Sequence, residues 1–224
     1  TYVFGAASSA EADTVTEGTN QGTDTLSFES LTTAVTLDLT RSAVQTAHTN
    51  RTLQLNSGST FENIVGGSGN DVLTGNLLDN FLSGNAGNDT LTGAAGNDIL
   101  FGGLGDDSFV FGTALSFEAD TVAEGENQGT DTLLFESLTT AVILNLSRSI
   151  AQTVHTNRTL QLNSGSTFEN IVGGSGDDFL TGNSLDNSFT GNAGNDTLTG
   201  TAGNDTLTGG AGNDALYGGL GDDT

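Results

Sequence analysis

Along two stretches of this chain a pattern returns every nine residues, with glycine first, aspartate sixth and a large apolar residue eighth. The first stretch opens as Gly66-Gly67-Ser68-Gly69-Asn70-Asp71-Val72-Leu73-Thr74 and restarts in degenerate form at Gly75, Gly84, Gly93 and Gly102. The second restarts at Gly173, Gly182, Gly191, Gly200, Gly209 and Gly218. Such a period describes a six-residue turn followed by a three-residue strand. Side chains alternate along a strand, so only the eighth residue points inward. If each nonamer is half a coil, strands stack about 4.8 Å apart in two facing sheets. Leu73, Phe81 or Leu82, Leu91, Leu100 and Phe109 then form a thin core, matched by Leu180, Phe189, Leu198, Leu207 and Leu216.

A longer repeat contains the short one. Gly173, His155 and Arg158 each lie 107 residues beyond Gly66, His48 and Arg51, and roughly four in five aligned positions are identical. The second copy carries one extra nonapeptide, so a whole nine-residue unit is what the architecture gains or loses. Arrays therefore run over 66–110 and 173–224, preceded by less regular segments over 1–65 and 111–172. In those segments Val35, Leu37 and Leu39, then Leu53 and Leu55, alternate with polar residues in the manner of half-buried strands. Ser57 through Val65 fits a degenerate nonamer leading into Gly66, with Glu62 in the aspartate slot; Glu169 is its counterpart. No linker separates segment from array. The expected fold is all-β, a right-handed parallel β-roll or β-solenoid of nonapeptide half-coils in two tandem repeats of about 107 residues. Both chain ends read as cuts in a longer tandem array.

The core is meagre, so another favourable contribution is needed. One large buried side chain per nonamer contributes about 1.5–3 kcal/mol, whereas ordering nine backbones costs about 9–18 kcal/mol. The formal charge of -24, from 28 acidic and four basic residues, also opposes compaction. Without cations this chain is expected to be largely disordered. The same field disfavours nucleic acid and anionic membranes as partners, and no apolar run approaches the ~18 residues of a membrane span. With no cysteine, disulfides and thiolate metal sites are excluded.

The turns supply what the core lacks. Turns on one edge come from alternate nonamers, so residues eighteen apart become neighbours. The pairs are Asp71 with Asp89, Asp89 with Asp107, Asn80 with Asp98, Asp178 with Asp196, Asp196 with Asp214, Asn187 with Asp205, and Asp205 with Asp223. Carboxylates this close repel unless a cation lies between them. Backbone carbonyls complete the shell, from Gly67, Gly69, Gly87, Gly96, Gly103 and Gly105 in the first array. Gly174, Gly176, Gly194, Gly203, Gly210, Gly212, Gly219 and Gly221 serve the second. Ligation by oxygen alone favours Ca2+, with several ions per chain. Asn80 and Asn187 offer only a neutral oxygen, so with Glu62 and Glu169 they are the weaker candidates. The sixth-position aspartate persists while neighbouring positions vary.

These nonapeptides resemble the RTX (repeats-in-toxin, haemolysin-type) calcium-binding family, whose unit is Gly-Gly-x-Gly-x-Asp-x-apolar-x. The resemblance covers the arrays closely and the segments before them loosely. It implies a non-catalytic calcium-stapled β-roll, each ion shared between turns of adjacent coils. It further implies a large secreted bacterial protein exported by type I secretion, with the repeat folding on calcium outside the cell or at its surface. Tandem copies suit an adhesin stalk or extracellular filament with further copies of the repeat as partners. The alternatives are an accessory module of a secreted enzyme or toxin, or an ice- or glycan-binding surface built on the threonine ladders. His48 and His155 read as surface or turn residues, and Arg51 and Arg158 as neutralisers of nearby acids.

Overall fold

A computed structural model describes residues 1–18, 22–56, 60–125, 128–163 and 167–224. The chain forms two compact units, Thr1–Asp107 and Ser108–Thr224. Every regular element among the described residues is a strand, and none is a helix long and apolar enough to cross a membrane.

The first unit contains β1 (Tyr2–Val3), β2 (Glu11–Val15), β3 (Thr25–Ser27), β4 (Thr36–Asp38), β5 (Gln45–His48), β6 (Arg51–Leu55), β7 (Asn63–Val65), β8 (Val72–Thr74), β9 (Phe81–Ala86), β10 (Thr90–Thr92) and β11 (Ile99–Leu104). Its strands pair in parallel in the orders β1-β3-β7-β9-β11 and β4-β8-β10. The second unit contains β12 (Ser108–Val110), β13 (Glu118–Ala123), β14 (Thr132–Leu134), β15 (Ile143–Asn145), β16 (Gln152–His155), β17 (Arg158–Leu162), β18 (Asn170–Val172), β19 (Phe179–Thr181), β20 (Ser188–Ala193), β21 (Thr197–Ala202), β22 (Thr206–Ala211) and β23 (Ala215–Leu220). There the parallel orders are β12-β14-β18-β20-β22 and β15-β19-β21-β23.

Register places each inward residue on its equivalent one coil away. Leu26, Ile64, Leu82 and Leu100 form one column, and Leu37, Leu73 and Leu91 the facing one. In the second unit the columns are Phe109, Leu133, Ile171, Phe189 and Leu207, then Leu144, Leu180, Leu198 and Leu216. All are fully buried except Leu207, which is nearly so, and Leu216, which is exposed. At the ambiguous position Leu82 takes the core slot, while Phe81 lies on the outer face with Ile99 and Val72. The columns pass from β7 into β9 and from β4 into β8, so the irregular segment and the array share one ladder. The degenerate nonamer expected from Ser57 lies outside the described residues over its first three positions.

Two features depart from the expected pattern. Strands β9, β11 and β20 to β23 each have six residues, because the ladder continues through the first three residues of the following turn. Leu104 therefore pairs with Ala86, and Ala211 with Ala193. In addition, β5 lies antiparallel to β6, as β16 does to β17. Only Thr49 and Asn50 join β5 to β6; so short a connection makes a hairpin, whereas a parallel return needs a crossover of about a dozen residues. The inner strand of the hairpin still obeys the roll, since β6 pairs in parallel with β2.

Burial predicts opposite outcomes for two adjacent residues. Leu100→Ala empties a fully enclosed site, and about 2–5 kcal/mol of stability is lost. Ile99→Ala, on the half-exposed face, shifts stability by less than about 1 kcal/mol. Chemical denaturation in excess calcium measures both.

Candidate metal centre

Each nonamer ends its turn by folding the sixth side chain back over the first residue. A Cβ built on Gly84 would lie 2.0 Å from Asp89 Oδ2, and one on Gly191 would lie 2.2 Å from Asp196 Oδ2. The same approach recurs from Gly66 over Asp71 to Gly218 over Asp223. The first glycine is therefore a space requirement: any side chain there displaces the carboxylate.

The folded-back carboxylate meets the neighbouring coil, and every eighteen-residue pair expected from the sequence is brought together. The contact is a hydrogen bond from backbone to side chain. Asp71 N–H donates to Asp89 Oδ1 at 2.7 Å, and Asp89 N–H to Asp107 Oδ1 at 2.7 Å. In the second array Asp178 N–H donates to Asp196 Oδ1 (2.8 Å) and Asp196 N–H to Asp214 Oδ1 (3.0 Å). On the other edge Asn80 donates to Asp98, Asn187 to Asp205, and Asp205 to Asp223, at 2.8, 2.8 and 3.0 Å. Glu62 and Glu169 extend the device into the irregular segments, accepting from Asp24 and Asp131 N–H at 2.7 and 2.9 Å.

This arrangement removes seven carboxylates from water. Asp71, Asp89, Asp98, Asp107, Asp178, Asp196 and Asp205 are all at most 2 % exposed, whereas Asp214 is partly exposed and Asp223 exposed. The second oxygens of Asp89, Asp196 and Asp205 are buried with no hydrogen-bond partner. Burial pushes the Asp89 carboxyl up to about 6; the Asp71 N–H opposes the rise and the Asp71 charge adds to it. Asp178 also rises to about 6, chiefly through burial, against N–H groups of Val142 and Gly174. Asp71, Asp196 and Asp205 are raised for the same leading reason. Orphaned buried carboxylate oxygens held at this spacing are the donor set of a hard cation.

The turns come in two backbone forms. In the later units of each array the second and fourth residues have positive φ, as at Asn85 (75°) with Gly87 (120°) and Asn192 (73°) with Gly194 (129°). Even Thr201 adopts φ 88°, a value β-branched residues rarely take. The first two units of each array contain no positive φ, which is why Leu78 and Leu185 fit at their fourth positions.

A second ladder lies outside the first. Fifth-position side chains accept from the fifth-position N–H one coil on. Asn70 accepts from Asn88, and Asn88 from Asp106, at 3.0 and 3.1 Å. Asp177 and Asp186 accept from Asn195 and Asn204 at 2.7 and 2.6 Å. The fifth residue is in fact Asn or Asp in every unit, a regularity as strict as the sixth and visible in the sequence itself.

His48 and His155 are buried, contrary to the surface positions expected, and each Nε2 meets a threonine hydroxyl, of Thr33 and Thr140. Arg51 and Arg158 do neutralise acids. Arg158 contacts Glu118 (2.6 Å) and Asp120 (2.9 Å), and Arg51 contacts Glu11 (2.7 Å) and Asp13. Each guanidinium also lies 5.3 Å from the ring centroid of Phe4 or Phe111. These contacts anchor the irregular segments.

Fold and site together define a parallel β-roll whose acidic turns are built to hold cations. The family model of the RTX calcium-binding nonapeptide repeat matches residues 57–77, 74–109, 164–188 and 190–224, just over half of the chain. The chain belongs to this family, and its repeats bind several Ca2+ ions. No curated protein matches it.

The raised carboxyls set the pH response without metal. Because the folded state holds its protons more tightly than the unfolded chain, β structure in chelator strengthens as pH falls from about 6 toward 4. It weakens again as pH rises through 6. Calcium binding has the opposite dependence, since protons compete for the same oxygens. Circular dichroism across that window, with and without calcium, measures both signs.

Proposed function

We propose that this chain is a calcium-folded structural segment of a secreted protein, in which the arrays over 66–110 and 173–224 hold the ions. The segments over 1–65 and 111–172 each lead into the array that follows them. The observation that carries this reading is that Asp89, Asp196 and Asp205 are buried in the turns, each with one carboxylate oxygen that has no hydrogen-bond partner. Such groups are tolerable at neutral pH only when a cation compensates them. Their ligands are the sixth-position carboxylates that keep an unpartnered oxygen, such as Asp89, Asp196 and Asp205, together with backbone carbonyls of the glycine-rich turns.

The chain has no catalytic role in this reading; it is a spacer that becomes rigid on reaching calcium. RTX repeat proteins are typically secreted. Weak oxygen sites fill where calcium is millimolar and stay empty where it is scarce, so export precedes folding. The near-identical long repeats suit a rod extended by further copies, as in an adhesin stalk or extracellular filament.

Titration with calcium followed by circular dichroism converts a weak β signal into a strong one, and equimolar magnesium does not. Equal structure in chelator and in calcium sinks the proposal. Asp89→Ala lowers calcium affinity more than Asp98→Ala, because the Asp89 carboxylate stands between the acidic turns of Asp71 and Asp107, whereas Asp98 pairs with the neutral Asn80; calorimetry compares the two.

A further inference from the structure

We infer that the two turns opening each array close on themselves without an ion, and that calcium sites begin at the third turn. The inference rests on the calcium reading above and divides its turns into two kinds. In the opening turn of the first array both Asp71 oxygens are already used: Oδ1 accepts from Val35 N–H at 2.8 Å and Oδ2 from Gly67 N–H, in its own turn, at 2.7 Å. Asp178 repeats this with Val142 and Gly174, both at 2.8 Å. The second turns place a carboxamide in the same position, where Asn80 and Asn187 accept from Asn76 and Asn183 N–H at 2.7 and 3.0 Å.

These four turns present an N–H group to the sixth side chain, and an N–H occupies the face a cation would need. The third turns differ in backbone and in bonding. With the second and fourth residues at positive φ, the Oδ2 atoms of Asp89 and Asp196 have no partner. The opening turns are instead bound to the preceding segment. Ser68 N–H donates to Leu31 O at 2.8 Å, and Gly69 lies so close to Thr33 that a Cβ would meet its carbonyl carbon at 2.4 Å. They form a platform, set by protein contacts alone, on which the first ion-bearing coil is laid.

The test counts calcium by native mass spectrometry and calorimetry in three chains. Asp71→Asn with Asp178→Asn is expected to leave the ion number unchanged and affinities within about twofold of the unsubstituted chain. Asp89→Asn with Asp196→Asn is expected to lose at least one ion per array. A lower count in the first double variant, or an unchanged count in the second, overturns the inference. A crystal structure of the unsubstituted chain with calcium tests it without substitution: ions held by Asp89 and Asp196 support it, and an ion on the Asp71 carboxylate overturns it. An unsubstituted chain that takes up no calcium removes the calcium reading and this inference together, an outcome distinct from either variant result.

Discussion

A carboxylate that reaches from one coil back to the backbone N–H of the coil before it is the contact on which this structure depends. It fixes coil register, because only an eighteen-residue spacing brings donor and acceptor together. It also draws the charge out of water, since the acceptor must fold over its own turn to make the bond. The rest follows from that geometry. The first residue must be glycine, the second oxygen is stranded at Asp89, Asp196 and Asp205, and the edge becomes a row of buried negative charge. The bond that orders the roll thus creates the electrostatic strain that calcium relieves.

The apolar columns play a complementary part. With one inward side chain per nonamer the core is continuous yet only one residue thick, and it distinguishes inside from outside without tying successive turns together. That task falls to two side-chain ladders, the buried sixth position and the exposed fifth. The inner ladder depends on charge compensation. The outer one, built on asparagine and aspartate oxygens, lies exposed and takes no charge out of water. Where the first array meets the irregular segment, the opening turn is held by direct contacts with Leu31, Thr33 and Val35.

Much of this was legible in the chain. The period gave the half-coil, the eighth position the core column, and the eighteen-residue spacing the pairing of acidic turns. Asn or Asp at every fifth position was equally visible, but its meaning depends on a hydrogen bond between coils that a one-dimensional pattern does not show. The short Thr49-Asn50 connection could have announced the hairpin, yet the alternation of Leu53 and Leu55 fits parallel and antiparallel strands alike. His48 gave no signal, because a lone histidine followed by Thr49 and Asn50 reads as a surface or turn residue until the packing around it is known.

The sequence by itself determined the repeat length, the alternation of strand and turn, and the chemistry of the ligands, because these follow from which residue types recur and how far apart. Only the tertiary structure decided that Leu82 rather than Phe81 faces the core, and which turns shelter their carboxylate with their own N–H groups and which leave it bare. The sequence hints at the second distinction through Leu78 and Leu185, but near-identical Gly-Asn-Asp motifs occur in both kinds of turn. The sign of φ at two backbone positions separates them, and the coil below each turn sets that sign.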